Sequence, residues 1–253
     1  MALASMSEIF ERMARNGQEF WEVVLADDMD ERQVSREASM AKMLTTWQAM
    51  QDAADSYTGR KRSVSGLVGG DGMKMRQYTF RGCAMTGGYV SEVIAEALSM
   101  AESNACMRRI VAAPTAGACG VLPAVLLPLC KYEELTQHQL LEALYVAAGI
   151  GSIIAYKASI AGASGGCQAE IGTASAMAAG ALVALRGGEG EQIGHAVAMA
   201  LKNLMGLVCD PVAGLVEVPC VKRNVIGAVN AVSAADMALA GIESRIPVDE
   251  VID

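Results

Sequence analysis

Residues 168–186 read QAEIGTASAMAAGALVALR, a helical run made mostly of small apolar side chains, and Gly187-Gly188 closes it. A helix with no bulky or charged stripe along its middle has no face to give to water. It must be buried on several sides, with neighbours approaching closely. The composition extends this constraint to the whole chain. Of 253 residues, 53% are hydrophobic but only 4% aromatic, while Gly and Met number 26 and 16. The core is therefore filled by small and flexible side chains.

The rest of the chain fits the same plan. Glycine and proline separate further helical segments at 88–104, 121–132, 136–158, 190–206 and 221–241. Thr136 is placed to cap the third of these. Residues 1–58 are helical and amphipathic, with Ser5 and Glu8 at capping-box spacing and Asn16-Gly17 as a stop. Met40, Met43, Leu44, Trp47, Met50 and Ala54 recur at helical intervals on one face, as a packing surface does. A loop, TGRKRSVSGLVGGDG, is expected over 58–72. No alternating strand pattern lasts beyond four or five residues, GLVEVPC at 214–220 being the nearest. The expected fold is mainly α, a multi-helix bundle-like arrangement with little or no sheet. An N-terminal helical segment, 1–60, continues into a larger helical domain, 61–253.

Charge and cysteine usage narrow the function. The net charge is −8, and no basic patch exists beyond GRKR at 59–62, so a nucleic-acid partner is excluded. Glu8, Glu11 and Arg12 in the first helix are incompatible with a secretory apolar region. Seven cysteines then imply a reducing cytoplasm, with thiols free or metal-bound. Residues 110–130 are uncharged and long enough to span a bilayer, but three prolines and two glycines interrupt them. Buried core of a soluble protein is the expected reading.

No CxxC pair occurs, which disfavours a zinc ribbon or finger. Cys106 and Cys130 have the context of buried free thiols, and Cys83 and Cys119 lack a second ligand nearby. Cys167, Cys209 and Cys220 differ from these. Each lies beside Gly or Pro at a helix junction, and Cys167 and Cys220 are expected at helix N-termini. There the positive end of the helix dipole and free N–H groups favour thiolate and thiolate-bound anionic clusters. Three such ligands without a fourth would leave one iron of a four-iron cluster open.

Three motifs, AAPTAGACGVLPAVL (112–126), GCQAEIGTASAMAA (166–179) and CDPVAGLVEVPCVKRN (209–224), resemble the iron–sulfur-dependent L-serine dehydratases, in their α chain or catalytic domain. The resemblance covers most of the chain, from GLVGGDGMKM at 66–75 to about residue 241. It implies a four-iron–four-sulfur cluster held by Cys167, Cys209 and Cys220 in the 61–253 domain. It also implies conversion of L-serine to pyruvate and ammonia without pyridoxal phosphate. The open iron would act as Lewis acid on the β-hydroxyl, and the activity would be oxygen-labile. Thr115, in a turn of small residues, and Lys74 are candidates for holding the substrate carboxylate.

The general base is not evident. His138 lies in a polar first turn, and His195 sits on a mostly apolar helix where a core histidine is the ordinary outcome. Glu170 and Asp210 adjoin ligand cysteines and are expected as supporting or capping groups. The family pairs this unit with a smaller, histidine-bearing β unit, so a separate β chain is expected to complete the site, in an oligomer. Related chains continue beyond IPVDEVID, so a cut or lost tail is a further expectation. The competing readings are another cluster-dependent amino-acid lyase such as a cysteine desulfidase, a non-catalytic cluster-carrying subunit whose fourth ligand would be Cys83 or Cys119, and a small helical membrane protein, the last motivated by a mean hydropathy of +0.31.

Overall fold

The computed structural model describes residues 3–215 and 217–253. Met1, Ala2 and Val216 lie outside them, and with Val216 the middle of the 214–220 segment. The described residues form eleven helices: α1 Met6–Asn16, α2 Phe20–Arg32, α3 Arg36–Asp55, α4 Asp71–Phe80, α5 Gly87–Ala105, α6 Val121–Tyr132, α7 Gln137–Lys157, α8 Gly162–Leu185, α9 Gly190–Leu204, α10 Val218–Leu239 and α11 Val248–Ile252. Among the described residues there is no strand. Val212 and Leu215 make one isolated bridge across a turn.

Helix α8 is the centre of the molecule, packed against α7, α9 and α10. Its alanines 174, 176, 178 and 179 have no exposed surface. A Cβ at Gly180 would collide with Cδ1 of Ile150 on α7, and one at Gly227 on α10 would lie 2.7 Å from Cγ2 of Ile171 on α8. The small-residue sequence thus sets how closely the helices pack. Two polar side chains join the seam. Ser175 donates to the Gly227 carbonyl at 2.7 Å, and Asn230 donates to Ser175 Oγ and to the Ala200 carbonyl, both at 2.9 Å. They bind α8, α9 and α10 without leaving buried polar groups unpaired.

Several local signals act as read. Ser5 accepts from the Glu8 amide, Thr136 and Gln139 form a reciprocal capping box, and Gly17 ends α1 in the left-handed region. Trp47, Met50 and Ala54 of the α3 stripe are buried, and Met40, Met43 and Leu44 pack at its edge. The 110–130 segment is not one helix. It divides into an irregular stretch, buried at Ala113 and at residues 118–120, and α6, which is largely buried. Among the described residues, α7 is the one helix long and apolar enough to cross a membrane, and 67% of its most apolar window is buried inside the protein.

Helix α4 falls where no helix was expected. Its first turn, GGDGM, carries no local cap. The cap is tertiary: the buried Glu102 on α5 accepts from the amides of Gly70, Asp71 and Gly72 at 3.0, 2.7 and 3.3 Å. The Tyr57 hydroxyl also donates to this carboxylate, and burial together with Glu102 holds the phenol above its ordinary pKa. Replacing Glu102 with Ala leaves several buried donors unpaired. Chemical denaturation of that variant is expected to show a loss of about 3 kcal/mol.

Chain-distant helices meet at Asp249 on α11. Its carboxylate accepts from the Met6 and Ser7 amides, each at 2.9 Å, and from the Ser7 hydroxyl at 2.6 Å, at the start of α1. Burial pushes its pKa up, but Ser7, Met6 and Lys157 together outweigh burial and hold it below the ordinary value. A depressed carboxylate contributes stability that is complete above its unfolded pKa of about 3.9 and is lost as pH falls through the folded value. Asp249→Asn should accordingly flatten the acid limb of a stability-versus-pH curve, and a curve unchanged in shape would contradict this account.

Candidate active site

The site begins with a kink. Helix α8 runs as one element through 162–185 except at Gly166, whose φ of 74° and ψ of −174° turn the chain before Cys167. The turn brings the backbone against the loop after α9. A Cβ at Gly166 would lie 3.2 Å from the Cys209 amide nitrogen and 3.3 Å from the Leu207 carbonyl oxygen. Two hydrogen bonds fix this approach: the Gln168 amide donates to the Leu207 carbonyl at 2.8 Å, and the Gly206 amide donates to Gln168 Oε1 at 2.7 Å. Glycine before Cys167 is therefore the means by which two segments distant in sequence touch.

The third segment is the first turn of α10. It begins at Val218, two residues before Cys220 and three earlier than expected, with Pro219 in its first turn. Two residues of α10 bind the rest together. Arg223 Nη1 donates to Cys167 Sγ and to the Val208 carbonyl, both at 2.8 Å, and Nη2 lies 3.7 Å from Asp210. Asn224 has no exposed surface. It accepts from the Gly120 amide at 2.9 Å and donates to the carbonyls of Gly117 at 2.7 Å and Cys220 at 2.9 Å.

These contacts frame a cavity of about 480 Å³ lined by Cys167, Cys209 and Cys220 together with Glu170, Glu217 and Asn224. Cys167 is buried, Cys220 half-buried and Cys209 exposed. The Cys220 thiol is pushed up to about 11 by burial, then by the neighbouring Cys167, Glu170 and Cys209, with Arg223 acting against them. Among the described residues, no three His, Cys, Asp or Glu side chains are gathered tightly enough for a single metal ion. Three thiols spaced around one cavity, with a guanidinium on one sulfur and loop backbone at the rim, instead fit a larger thiolate-bound group of iron–sulfur type.

The other candidate residues are placed as follows. Thr115 donates its hydroxyl proton to Glu170, whose carboxylate faces the cavity; Glu170 does not cap a helix. Lys74 is outside the lining, 76% exposed, and 2.9 Å from Asp71, whose other oxygen takes Lys222 at 2.6 Å. Asp210 is exposed and faces Arg223. His138 pairs with Glu142 on the surface, and His195 Nδ1 accepts from the Ser244 amide; neither lines the cavity. Cys119 is fully buried, its thiol 3.7 Å from the Met100 carbonyl and raised by burial to about 12. Cys83 is exposed. Cys106 and Cys130 are half-buried rather than enclosed. Arg223 and Asn224 carried no assigned role in the sequence. Asn224 lies four residues after Cys220, on the same helical face, and that spacing was the available signal.

Helices α8 and α10 and the loop after α9 thus bring three thiols to one cavity. The family model described as serine dehydratase alpha chain matches residues 15–253, and the chain belongs to that family. It is 46% identical over 232 residues, 92% of this chain and 77% of the relative, to the probable L-serine dehydratase, alpha chain, of Bacillus subtilis (strain 168). It is 38% identical over 251 residues, 99% of this chain and 86% of the relative, to the L-serine dehydratase, alpha chain, of Peptoniphilus asaccharolyticus. Identity to L-serine dehydratase 2 of Escherichia coli (strain K12) is 48% over 159 residues, 62% of this chain and 35% of that one.

Gly166→Ala tests the kink. It forces an L side chain into the left-handed region and against the 207–209 backbone. Denaturation should show a loss of about 1–2 kcal/mol from the dihedral alone, and a variant as stable as the parent would contradict the geometry.

Proposed function

We propose that this chain is the catalytic α subunit of a cytoplasmic L-serine dehydratase, converting L-serine to pyruvate and ammonia, with a four-iron–four-sulfur cluster held by Cys167, Cys209 and Cys220. The observation that carries the reading is the convergence of these three thiols, from three separate segments, on one cavity. Their unpaired state supports a reducing compartment. When bound, the cluster supplies a Lewis-acidic iron for the departing β-hydroxyl.

The chain's own residues have distinct tasks in this reading. Arg223 fixes the Cys167 sulfur and, through Val208, the loop that carries Cys209. Asn224 anchors the 117–120 turn, whose Gly117 lines the cavity, to the helix of Cys220. Glu170 lines the cavity, and Thr115, outside the lining, holds the Glu170 carboxylate through its hydroxyl. Lys74 has no part in it, since its partner is Asp71 and it stands outside the lining. Neither histidine reaches the cavity, which is the reason for assigning the proton-abstracting group to a separate β chain; the relatives' designation as alpha chains supports such a partner. The positions of Cys119 and Cys83 argue against a closed, four-cysteine cluster in a non-catalytic subunit.

The test is anaerobic reconstitution with iron and sulfide, with a β chain present. Cys167→Ala, Cys209→Ala and Cys220→Ala should each lose bound iron and pyruvate formation from L-serine. Air should abolish the parent's activity along with its cluster absorption. Full iron content in any of the three variants would remove that cysteine from the ligand set, and pyruvate formation that survives loss of iron would end the reading.

A further inference from the structure

The carboxylate of Glu170 has no use in holding the three sulfurs together. It enters the cavity from α8 one turn beyond Cys167. Among the described residues no Lys, Arg or His forms an ion pair with it. Arg223, the guanidinium that bonds to Cys167 of the same lining, is committed to Cys167 and Val208. The side chain is nevertheless closely held. A Cβ at Gly117 would lie 2.6 Å from Oε1 and one at Gly162 2.8 Å from Oε2, so two glycines leave the space that this carboxylate fills. The Thr115 hydroxyl donates to Oε1.

That hydrogen bond decides what the pair can recognise. A hydroxyl has one proton to give. Thr115 has given its proton to Glu170, so toward a ligand it offers only lone pairs. The Glu170 carboxylate, which lines the cavity with Thr115 bonded behind it, likewise presents acceptor oxygens, and a compact cation with several N–H donors is the complementary group. A substrate carboxylate would meet repulsion at this point. The other carboxylate of the lining, Glu217, is satisfied at the rim by Ser65 at 2.5 Å.

We propose that Glu170, oriented by the Thr115 hydroxyl, forms the subsite for the ammonium group of the substrate, and so selects an amino acid over the corresponding hydroxy acid. The inference rests on the dehydration of L-serine proposed above. It places Thr115 behind the amino end of the substrate.

The test uses the cluster-loaded αβ complex with Glu170→Gln, which keeps shape but removes charge, and Thr115→Val. Three quantities are read: iron per chain, the apparent Kd of L-serine from its perturbation of the cluster's spectrum, and KM against kcat. Inhibition by 3-hydroxypropionate, which has the hydroxyl and carboxylate without the amine, serves as the reference. Loss of a charge-assisted bond predicts a rise of about tenfold or more in KM and Kd for L-serine in Glu170→Gln. Inhibition by 3-hydroxypropionate should change little, with full iron content, and Thr115→Val should give a smaller rise in the same direction. Equal weakening of both ligands overturns the subsite. So does a fall in kcat with KM and Kd unchanged, or lost iron with unaltered L-serine affinity per loaded site. An iron-loaded parent complex that neither binds nor dehydrates L-serine overturns the functional reading itself, and the subsite with it.

Discussion

The contact of Gly166 with the backbone of 207–209 is the constraint on which the site depends. Backbone can lie this close to backbone only where no Cβ intervenes, and the left-handed φ at Gly166 turns Cys167 toward the loop it touches. Once the two strands of chain are joined by Gln168, the positions of Cys167 and Cys209 are no longer independent. Helix α10 then fixes both against Cys220 through a single guanidinium. The three thiols are thus gathered by hydrogen bonds and close approach that belong to the polypeptide.

The electrostatics of the cavity follow from that gathering. Three thiols and two carboxylates share one lining, and among the described residues Arg223 is the cation bonded to this group. The Cys220 thiol is raised first by burial and then by this crowding. The carboxylates and sulfurs of the lining are acceptor and ligand atoms suited to a protonated amine and to a metal. Both readings of the cavity, as a holder of iron and as a binder of an amino acid, draw on this one property.

Much of the architecture was legible because its causes are local. Thr136, Gly17 and Gly187-Gly188 act through caps and turns that involve only near neighbours, and the Ala- and Gly-rich run of α8 announces its own burial. Helix α4 was not legible, because its cap is the side chain of Glu102, supplied from another helix. The break between α2 and α3 was hidden for another reason: Gln33, not glycine, takes the left-handed conformation there. The cysteine junctions could be read from their Gly and Pro neighbours. The tasks of Arg223 and Asn224 could not, since each acts on a segment brought near only by the fold. Glu170 was visible as a neighbour of Cys167, but helix geometry, not adjacency, decides that its side chain faces the cavity.

The small-residue seam has a consequence for how such a molecule can change over time. Where Gly227 meets Ile171, the interhelical distance is gauged by the absence of one methyl group, and Ile171 is the immediate neighbour of Glu170. The helix spacing behind the Glu170 wall thus rests on a residue that has no place in that wall. Drift in the interior would retune that spacing, so the parts of this chain least free to vary should include positions that never meet a ligand.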